Sequence, residues 1–419
     1  MTLSLPAGPR SVRTALRVPG EKQSTKLQYS VLRMTFASLL KRLRLAFRVA
    51  QLSIEAFLTG VRSRLVNLRG EAPPPPRDPY VQSVSASSAV IVWVSEKPGV
   101  GLVEYGETPR LGLEGVDAHV SRRHAVALSG LGPGSRYYYR VKEAGGESEI
   151  ARFRTAPEDE DSHFAFAVIG DSGRGRKGQL AVAALLERVE PDLILHTGDI
   201  VYPSGEERHY DRRFFVPYGR LLKEVPVFPI LGNHDLERDN GAAYLNNFHL
   251  PRNDMQGTGR YYSFDWGNAH FVALNSELYH GDHSYSPEEQ KTWLERDLKE
   301  TRHPWKIVYF HRPIYSSSKH GSDQRIREDL EPVLVRHQVD LVFSGHDHVY
   351  ERTVPIRGVT YVVSGGGGKG LYPAGSSEWT AFSKSVFHAV LVRVDGEHLC
   401  LEAVETDGVV LDRVDLSRT

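Results

Sequence analysis

From residue 163 onward, short apolar runs end abruptly in glycine-containing turns that carry Asp, Asn or His. Helix-like stretches at 179–189, 287–301 and 325–337 separate some of these runs. Short apolar runs alternating with helices are typical of a largely buried sheet, so the pattern predicts an α/β domain over residues 160–419. In such domains ligands bind at the carboxyl ends of the strands. The polar residues of the turns are therefore expected to form the functional site.

Five of these turns contain side chains that bind metal ions. They lie at 170–173, 198–202, 232–235, 308–311 and 345–348. Hard carboxylate, phenolate and amide oxygens combined with imidazoles suit iron, manganese or zinc. The single cysteine, Cys400, excludes a cysteine-based zinc site. Each turn alone is typical of an ordinary loop, but all five in this order predict a metal centre.

The five motifs resemble the metallophosphoesterase superfamily and, within it, the purple acid phosphatases. The resemblance covers roughly residues 77–419. It implies a four-layer α/β/β/α sandwich that holds a binuclear centre of Fe³⁺ and one divalent ion, either Fe²⁺, Zn²⁺ or Mn²⁺. The residues that match the family's metal ligands are Asp171, Asp199, Tyr202 and His348 for the ferric ion, and Asn233, His311 and His346 for the divalent ion, with Asp199 bridging.

The first motif selects within the superfamily. Most members begin with Asp-x-His, whereas this chain has Asp171-Ser172-Gly173 and so lacks that histidine. Tyr202, three residues after Asp199, is expected to replace it; the alternative is an aromatic ring that packs on the core. A phenol has an unperturbed pKa near ~10, so binding as phenolate at neutral pH requires a strongly Lewis-acidic cation such as Fe³⁺.

A mechanism follows from the expected charges. Two metal ions about 3.5–4 Å apart clamp a phosphate group, and a metal-bound hydroxide attacks phosphorus in line. The leaving alkoxide needs a proton, for which His234 is the expected donor, with Asp235 holding and polarising it. His320, nine residues after His311, is expected to contact substrate; its alternative is an exposed loop histidine.

The sequence thus predicts an acid phosphatase that cleaves phosphomonoesters to an alcohol and inorganic phosphate. A phosphodiesterase or nucleotidase on the same site is an alternative, because substrate choice depends on loops such as 203–220, 236–260 and 276–287. A third hypothesis is a non-catalytic binding module tethered to a membrane, but all seven ligand positions are filled. The four glycines at 365–368 lack the order of a P-loop and are expected to form a tight turn near the site.

The region before the α/β domain is divided by composition. Prolines at 73–76 predict a linker, and regularly spaced strand-like runs over 77–157 predict a small β-sandwich. The segment 128–141 resembles a fibronectin type III strand-turn-strand, in which a tyrosine hydroxyl folds back onto the preceding corner. We expect this domain to act as a packing module.

A basic arm precedes the linker, at residues 1–72. Residues 1–70 hold 13 Lys/Arg and 2 Asp/Glu, whereas the rest of the chain holds 39 Lys/Arg and 50 Asp/Glu. The acidic excess of the rest of the chain argues against nucleic acid as a partner. Apolar residues at helical spacing over 34–70 predict an amphipathic helix for peripheral membrane contact or self-association. The alternatives are a helix packed on the body, or Met34 as the true start. The resemblance implies secretion or a periplasmic location, although the sequence shows no clean signal peptide.

Overall fold

The computed structural model describes residues 74–143, 145–158 and 163–418. The predicted helix at 34–70 lies outside these residues, as does the rest of the basic arm. In the described part of the chain, no helix is both long and apolar enough to span a bilayer. The first described elements are six strands: β1 Arg77–Gln82, β2 Ser88–Gly106, β3 Leu113–Ser129, β4 Arg136–Glu143, β5 Gly146–Glu147 and β6 Ala151–Arg154.

These six strands form one antiparallel set in which β2 is the central element. The start of β2 pairs with β1, and its end pairs with β4. The segments 89–95 and 101–105 are both parts of β2, and the register of β2 with β3 shifts between Val94 and Gly101. A Cβ on Gly101 would lie 2.6 Å from the Trp93 ring, so glycine allows β2 to pass close to that ring. The expected corner contact is present, because the Tyr137 hydroxyl accepts a hydrogen bond from the Gly132 N–H at 2.9 Å.

The remaining residues alternate strands with helices. The strands are β7 His163–Ile169, β8 Leu193–His196, β9 Val227–Pro229, β10 Tyr262–Trp266, β11 Ala269–Ala273, β12 Trp305–Tyr309, β13 Leu341–Ser344, β14 Tyr350–Thr353, β15 Thr360–Ser364, β16 Thr380–Lys384, β17 His388–Asp395, β18 His398–Glu405 and β19 Val410–Ser417. The α-helices are α1 Lys177–Val189, α2 Glu207–Tyr210, α3 Val216–Leu222, α4 Asn233–Leu236, α5 Ala242–Asn247, α6 Pro287–Glu300 and α7 Gln324–Arg336. A π-helical turn, Asp211–Phe215, joins α2 to α3, and a 3₁₀ helix covers Ser276–Tyr279.

The strands form two mixed sheets that pack face to face. One has the order β19-β18-β17-β7-β8-β9, and the other has the order β10-β11-β12-β13-β15-β14-β16. Phe166 of β7 contacts Phe271 and Phe343 of the second sheet, with ring centroids 5.2 and 6.2 Å apart. With helices on the outer faces, this arrangement confirms the predicted four-layer α/β/β/α sandwich.

The three long helices agree with the predicted helical stretches to within two residues at each end. Two of them start with a side-chain cap. Ser286 and Glu289 form a capping box at the start of α6, and Asp323 accepts a hydrogen bond from the Ile326 N–H in α7. The start of α1 differs, because Arg176 occupies the N-cap position and provides no side-chain cap.

The first β-region contacts the α/β region through a buried polar cluster. The Arg77 guanidinium donates to Asp211 Oδ1 at 2.8 Å and to Asn247 Oδ1 at 2.6 Å. The Tyr80 hydroxyl donates to the carbonyl of Asn247 at 2.9 Å. A buried charge needs a partner of this kind, so the cluster fixes the π-helical turn that begins at Asp211. The boundary predicted between residues 157 and 160 includes residues outside the described ranges and stays a prediction.

Candidate metal centre

The five motifs meet at the carboxyl ends of their strands. Three follow β7, β8 and β9 of one sheet, and two follow β12 and β13 of the other. Ligand atoms of Asp171, Asp199 and His311 all lie within 4.8 Å of one another, and all three residues are buried. Two parallel strand sets therefore deliver their turns to one point between the sheets, as expected for this class of fold.

One side of the cluster is built around Tyr202. Its hydroxyl donates to Asp171 Oδ1 at 3.0 Å and lies 3.3 Å from His348 Nε2. His348 Nε2 is also 3.4 Å from Asp171 Oδ1. Tyr202, Asp171 and His348 are each at most 3% exposed. The phenol, carboxylate and imidazole expected at the ferric site are thus in mutual contact.

The other side is built around His311. Its Nε2 lies 3.2 Å from Asn233 Oδ1, 3.3 Å from His346 Nδ1 and 3.5 Å from Asp199 Oδ1. Asn233 and His346 are partly exposed, unlike the residues on the Tyr202 side. The structure therefore brings together all seven residues that the sequence indicated as ligands, with Asp199 between the two groups.

Backbone carbonyls orient two of the imidazole rings. His311 Nδ1 donates to the carbonyl of Thr197 at 2.7 Å, and His348 Nδ1 donates to the carbonyl of Gly370 at 2.6 Å. Each ring then keeps its Nε2 lone pair directed at the cluster. This arrangement is typical of histidines that bind metal, because the outer hydrogen bond fixes both tautomer and ring orientation.

The backbone of the cluster is strained at the residues that carry its function. Asp171, Asp199 and His346 have φ values of 55°, 53° and 68°, in the left-handed region that non-glycine residues rarely adopt. Glycines make room for their side chains. A Cβ on Gly232 would lie 2.3 Å from Asp199 Oδ1, and a Cβ on Gly345 would lie 2.5 Å from Asp171 Oδ2. These glycines allow carboxylates to lie directly against the neighbouring backbone.

Gly173 occupies the position at which Asp-x-His proteins carry their histidine. A Cβ here would lie 1.7 Å from the carbonyl oxygen of Ile200, so any side chain at 173 would require the backbone to move. The carbonyl of Gly173 accepts a hydrogen bond from the Tyr202 N–H at 2.9 Å. One close loop contact therefore both excludes a side chain at 173 and holds the backbone of Tyr202.

The electrostatics of the cluster fit a highly charged cation. Burial, followed by the charges of Asp171 and Asp199, raises the pKa of Tyr202 well above its usual value. Burial opposes ionisation of Asp171, but the hydrogen bond and charge of His348 outweigh it and lower the pKa of that carboxyl. Burial and the neighbouring His311 lower the pKa of His346. These side chains would not hold a phenolate unaided, so ionising Tyr202 requires a cation at this point.

His234 faces this cluster from the turn after Asn233. Its ring lies against Tyr202 with centroids 4.6 Å apart, and its Nε2 is 3.9 Å from Asp199 Oδ2. Its Nδ1 donates to the carbonyl of Pro203 at 2.7 Å and lies 3.2 Å from Glu237 Oε1. The ring is thus held at Nδ1 and presents Nε2 to the site.

Asp235 was expected to hold His234, and the structure places it elsewhere. Its carboxylate accepts hydrogen bonds from the N–H groups of Ile200 and Gly232, both at 3.0 Å. Burial, followed by the charge of Asp199, raises the pKa of Asp235 to about 8. Consecutive residues of the short helix α4 point in different directions, so Asp235 cannot share the face of His234. It braces two ligand loops instead, and Pro203 and Glu237 contact His234.

His320 lies at the opposite rim of the cluster. Its ring is next to that of His346, with centroids 4.3 Å apart, and it is exposed. Its N–H donates to Asp347 Oδ1 at 2.9 Å, which ties this loop to the His346 turn. The structure therefore places His320 beside the cluster, as expected for a residue that contacts substrate.

Three polar neighbours of the cluster were missed by the sequence analysis. Arg312, held by Glu277 at 2.8 and 3.0 Å, places Nη1 3.4 Å from His346 Nε2. Its position directly after His311 was a signal that could have identified it. Tyr372 stacks on His348 with centroids 4.0 Å apart, and the Lys369 ammonium lies 3.7 Å from the centroid of the Tyr202 ring. Neither contact follows from spacing in the sequence.

The glycine run at 365–368, expected to form a tight turn, instead lies along the first motif. The Gly367 N–H donates to the carbonyl of Gly170 at 2.9 Å, and the next residue but one, Lys369, donates its N–H to the carbonyl of Asp171 at 2.8 Å. A Cβ on Gly367 would lie 2.2 Å from the carbonyl of Gly170. The run therefore packs against the first motif and uses N–H groups there rather than cradling phosphate.

Comparison with known proteins defines the class to which this fold and site belong. Residues 164–350 match the family described as calcineurin-like phosphoesterase. A purple acid phosphatase from yellow lupin seeds has the same fold, with a TM-score of 0.73 and 22% identity, over 82% of this chain and 75% of its own. The predicted superfamily and fold are thus confirmed.

The relatives narrow the class further. Acid phosphatase type 7 of Homo sapiens is 28% identical over 78% of this chain and 87% of its own length. Purple acid phosphatase 21 of Arabidopsis thaliana is 32% identical over 58% of each chain. The chain spans between 53% and 62% of the length of the first three plant relatives. Residues 164–350 thus carry a calcineurin-like phosphoesterase domain, and the chain is similar to purple acid phosphatases.

Proposed function

We propose that the protein is a binuclear-metal hydrolase that cleaves phosphomonoesters to an alcohol and inorganic phosphate. The observation that carries this proposal is the convergence of seven ligand-type side chains from five strand ends, with the Tyr202 phenol in contact with Asp171 and His348. The homology to acid phosphatases supports it.

The donor set supports a mixed-valence centre. Asp171, Tyr202 and His348 would hold Fe³⁺, and Asp199 would bridge to the second ion. Asn233, His311 and His346 would hold a divalent ion such as Fe²⁺, Zn²⁺ or Mn²⁺, for which imidazole and amide ligands are suitable. When bound, the two ions supply Lewis acidity toward phosphate and activation of water.

The chain's own residues supply proton transfer and positioning. His234 directs Nε2 into the site while Pro203 and Glu237 hold Nδ1, so the ring can deliver a proton to the leaving alkoxide at Nε2. Arg312 and Lys369 add positive charge on opposite sides of the cluster, where phosphate oxygens would accept hydrogen bonds. His320 lies at the rim, where it can contact the alcohol portion of a substrate.

The test combines metal analysis with turnover of an aryl phosphate monoester and the corresponding diester. We expect close to two metal ions per chain, at least one of them iron, and faster turnover of the monoester. Asp199→Asn serves as the matched inactive control. Faster turnover of the diester would instead establish a phosphodiesterase, and a metal-replete protein inactive on both esters would contradict the proposal.

We also propose that residues 34–70 mediate peripheral membrane contact or self-association. The support is the apolar stripe flanked by Lys and Arg, since this segment lies outside the described residues. Removal of residues 1–72 should leave turnover of soluble substrates unchanged while abolishing binding to anionic vesicles or lowering the mass of the assembly in solution. Equal vesicle binding and equal mass with and without the arm would refute the proposal.

A further inference from the structure

Beside the candidate metal centre lies an open cleft of about 640 Å³ with four cationic side chains in its wall. The four are Arg174, Arg176, Lys177 and Arg212, and no carboxylate lines the cleft. Within the part of the chain that the structure describes, none of the four forms an ion pair. Burial and the charges of neighbouring arginines, Arg212 first, lower the pKa of Arg213 just behind this wall. Among the described residues, the positive charge of the cleft therefore has no anionic partner.

The cleft and the metal centre share a wall, the segment 368–370. Gly368 and Gly370 line the cleft, and the carbonyl of Gly370 accepts the hydrogen bond that orients His348. Between them, Lys369 places its ammonium over the Tyr202 ring. An anion in the cleft and a phosphate group at the metal centre would thus lie on the two sides of a three-residue segment.

The start of helix α1 opens into the same cleft. Lys177 and Gly178, its first two residues, line the cleft, no side chain caps the helix, and its first turn contains no acidic residue. Uncapped N–H groups and the helix dipole favour an anion at this position. The longer helices α6 and α7, in contrast, each have a side-chain cap at the N-terminus. Together with guanidinium groups, it suits phosphate oxygens in particular.

The cleft is held in shape without a ligand. Arg77 fixes Asp211 at 2.8 Å, and the π-helical turn that begins there presents the next residue, Arg212, to the cleft. On the other side, Phe387 packs closely on Gly178, where a Cβ would lie 2.6 Å from the ring. A site built in advance in this way loses less entropy when a ligand binds.

We propose that this cleft is a second anion subsite, which binds the non-reacting phosphate group of substrates that carry two phosphate groups. The inference rests on the proposed phosphomonoesterase function and names its substrate class. Binding at this subsite stabilises the bound substrate and the transition state equally. It should therefore lower KM and change kcat little.

The test compares fructose 1,6-bisphosphate with fructose 6-phosphate, which differ by one phosphate group. For the wild-type protein we expect KM for the bisphosphate to be at least about tenfold lower, the usual worth of one charge-assisted hydrogen bond. The double variant Arg176→Gln/Lys177→Gln should raise KM for the bisphosphate toward that for the monophosphate and leave the monophosphate nearly unchanged. Arg188→Gln/Arg220→Gln removes the same charge; Arg188 is on the same helix, roughly 16 Å from its start, and this variant should behave as wild type.

Two results would overturn the subsite: no preference of the wild type for the bisphosphate, or the same KM ratio in both double variants. Failure of the proposed function is a separate outcome, recognised when the wild type hydrolyses neither ester. Calorimetric binding of fructose 1,6-bisphosphate to the same proteins would then decide the subsite. Binding that Arg176→Gln/Lys177→Gln weakens and Arg188→Gln/Arg220→Gln does not would support it; equal binding by all three would exclude it.

Discussion

Two clusters of histidine and carboxylate in the described part of the chain differ in how their imidazole rings are held. At the candidate metal centre, carbonyls outside the cluster hold Nδ1 of His311 and of His348, so each Nε2 faces the other ligands. In the second cluster, His270 bonds to Asp265 through Nδ1 at 2.7 Å and to Asp297 through Nε2 at 2.9 Å. Both of its ring nitrogens are already used by carboxylates.

The difference lies in where the hydrogen-bond partners sit. Burial lowers the pKa of His270, but the two carboxylate hydrogen bonds outweigh burial and raise the pKa to about 9. The ring is therefore an imidazolium that joins β11 to α6, and it offers no lone pair to a cation. Residue types alone do not distinguish a cluster that can bind metal from one that is a salt bridge. The distinction depends on whether a backbone carbonyl or a second carboxylate bonds to the other ring nitrogen of the histidine.

Removal of the bridging carboxylate should have the largest effect. Asp199→Asn keeps the side-chain volume but loses the charge shared between the two expected ions, so both should bind weakly. We expect metal content measured by mass spectrometry to fall from about two ions per chain toward zero, with activity below detection. Retention of both ions would show that Asp199 does not bridge them.

Loss of the expected proton donor should come next. His234→Ala should lower kcat roughly 10²–10⁴-fold for esters with poor leaving groups, and less for nitrophenyl esters, whose leaving group needs little protonation. Glu237→Gln, which changes a group 3.2 Å from Nδ1, should have a much smaller effect. An equal loss on good and poor leaving groups would assign His234 a positioning role instead.

The two sides of the centre should respond differently to single changes. A phenolate on Fe³⁺ gives a visible charge-transfer band, so the iron-loaded protein should be coloured. Tyr202→Phe removes one hydroxyl, and we expect the band to vanish while the fold is kept. His346→Ala should leave the band and lower the content of the divalent ion. A band that persists in Tyr202→Phe would show that another tyrosine is the ligand.

His320 lies at the rim and should have a milder effect. His320→Ala removes an exposed ring that lies beside His346, so we expect KM to rise several-fold with little change in kcat. The measurement is a full kinetic curve for each substrate. A fall in kcat with unchanged KM would place His320 in the chemical step.

The second cluster should matter for stability and not for metal. The folded pKa of His270 lies above its unfolded value of about 6.5, so its contribution is complete below that pH and is lost as pH rises through about 9. The contribution is on the order of 3 kcal/mol at most, and less because Asp265 is half exposed. His270→Gln should therefore lower unfolding free energy at pH 6 and have little effect at pH 9.5. Equal destabilisation at both values, or loss of bound metal, would contradict this assignment.

Much of the metal centre could be predicted because its ligands follow buried strands. The apolar runs before Asp171, Asn233 and His346 mark strand ends, and parallel strands bring their ends together. The role assigned to Asp235 was wrong because sequence adjacency to His234 says nothing about direction within a helical turn. The contact of Tyr372 with His348 could not be predicted either, because the two rings meet only through the tertiary fold.

The secondary-structure elements were also predicted only in part. Helices α1, α6 and α7 were predicted because their apolar spacing is regular, and Ser286 marks the start of α6. Strand β19 has no counterpart in the sequence prediction, since its positions are exposed or half-exposed and several carry charge. Strand β2 continues through Lys97-Pro98-Gly99, although such a sequence is typical of a turn.

The contact between Gly173 and Ile200 has a consequence for how such a protein can change over time. Restoring a histidine at 173 would place its Cβ 1.7 Å from the Ile200 carbonyl, in the loop that also leads to Tyr202. A histidine at 173 alone would thus displace the loop that carries Tyr202 before its imidazole could act as a ligand. Conversion from a tyrosine ligand to a histidine ligand requires at least two coordinated changes, one in each loop. The close contact of the two loops therefore favours the tyrosine at this site over a histidine at 173.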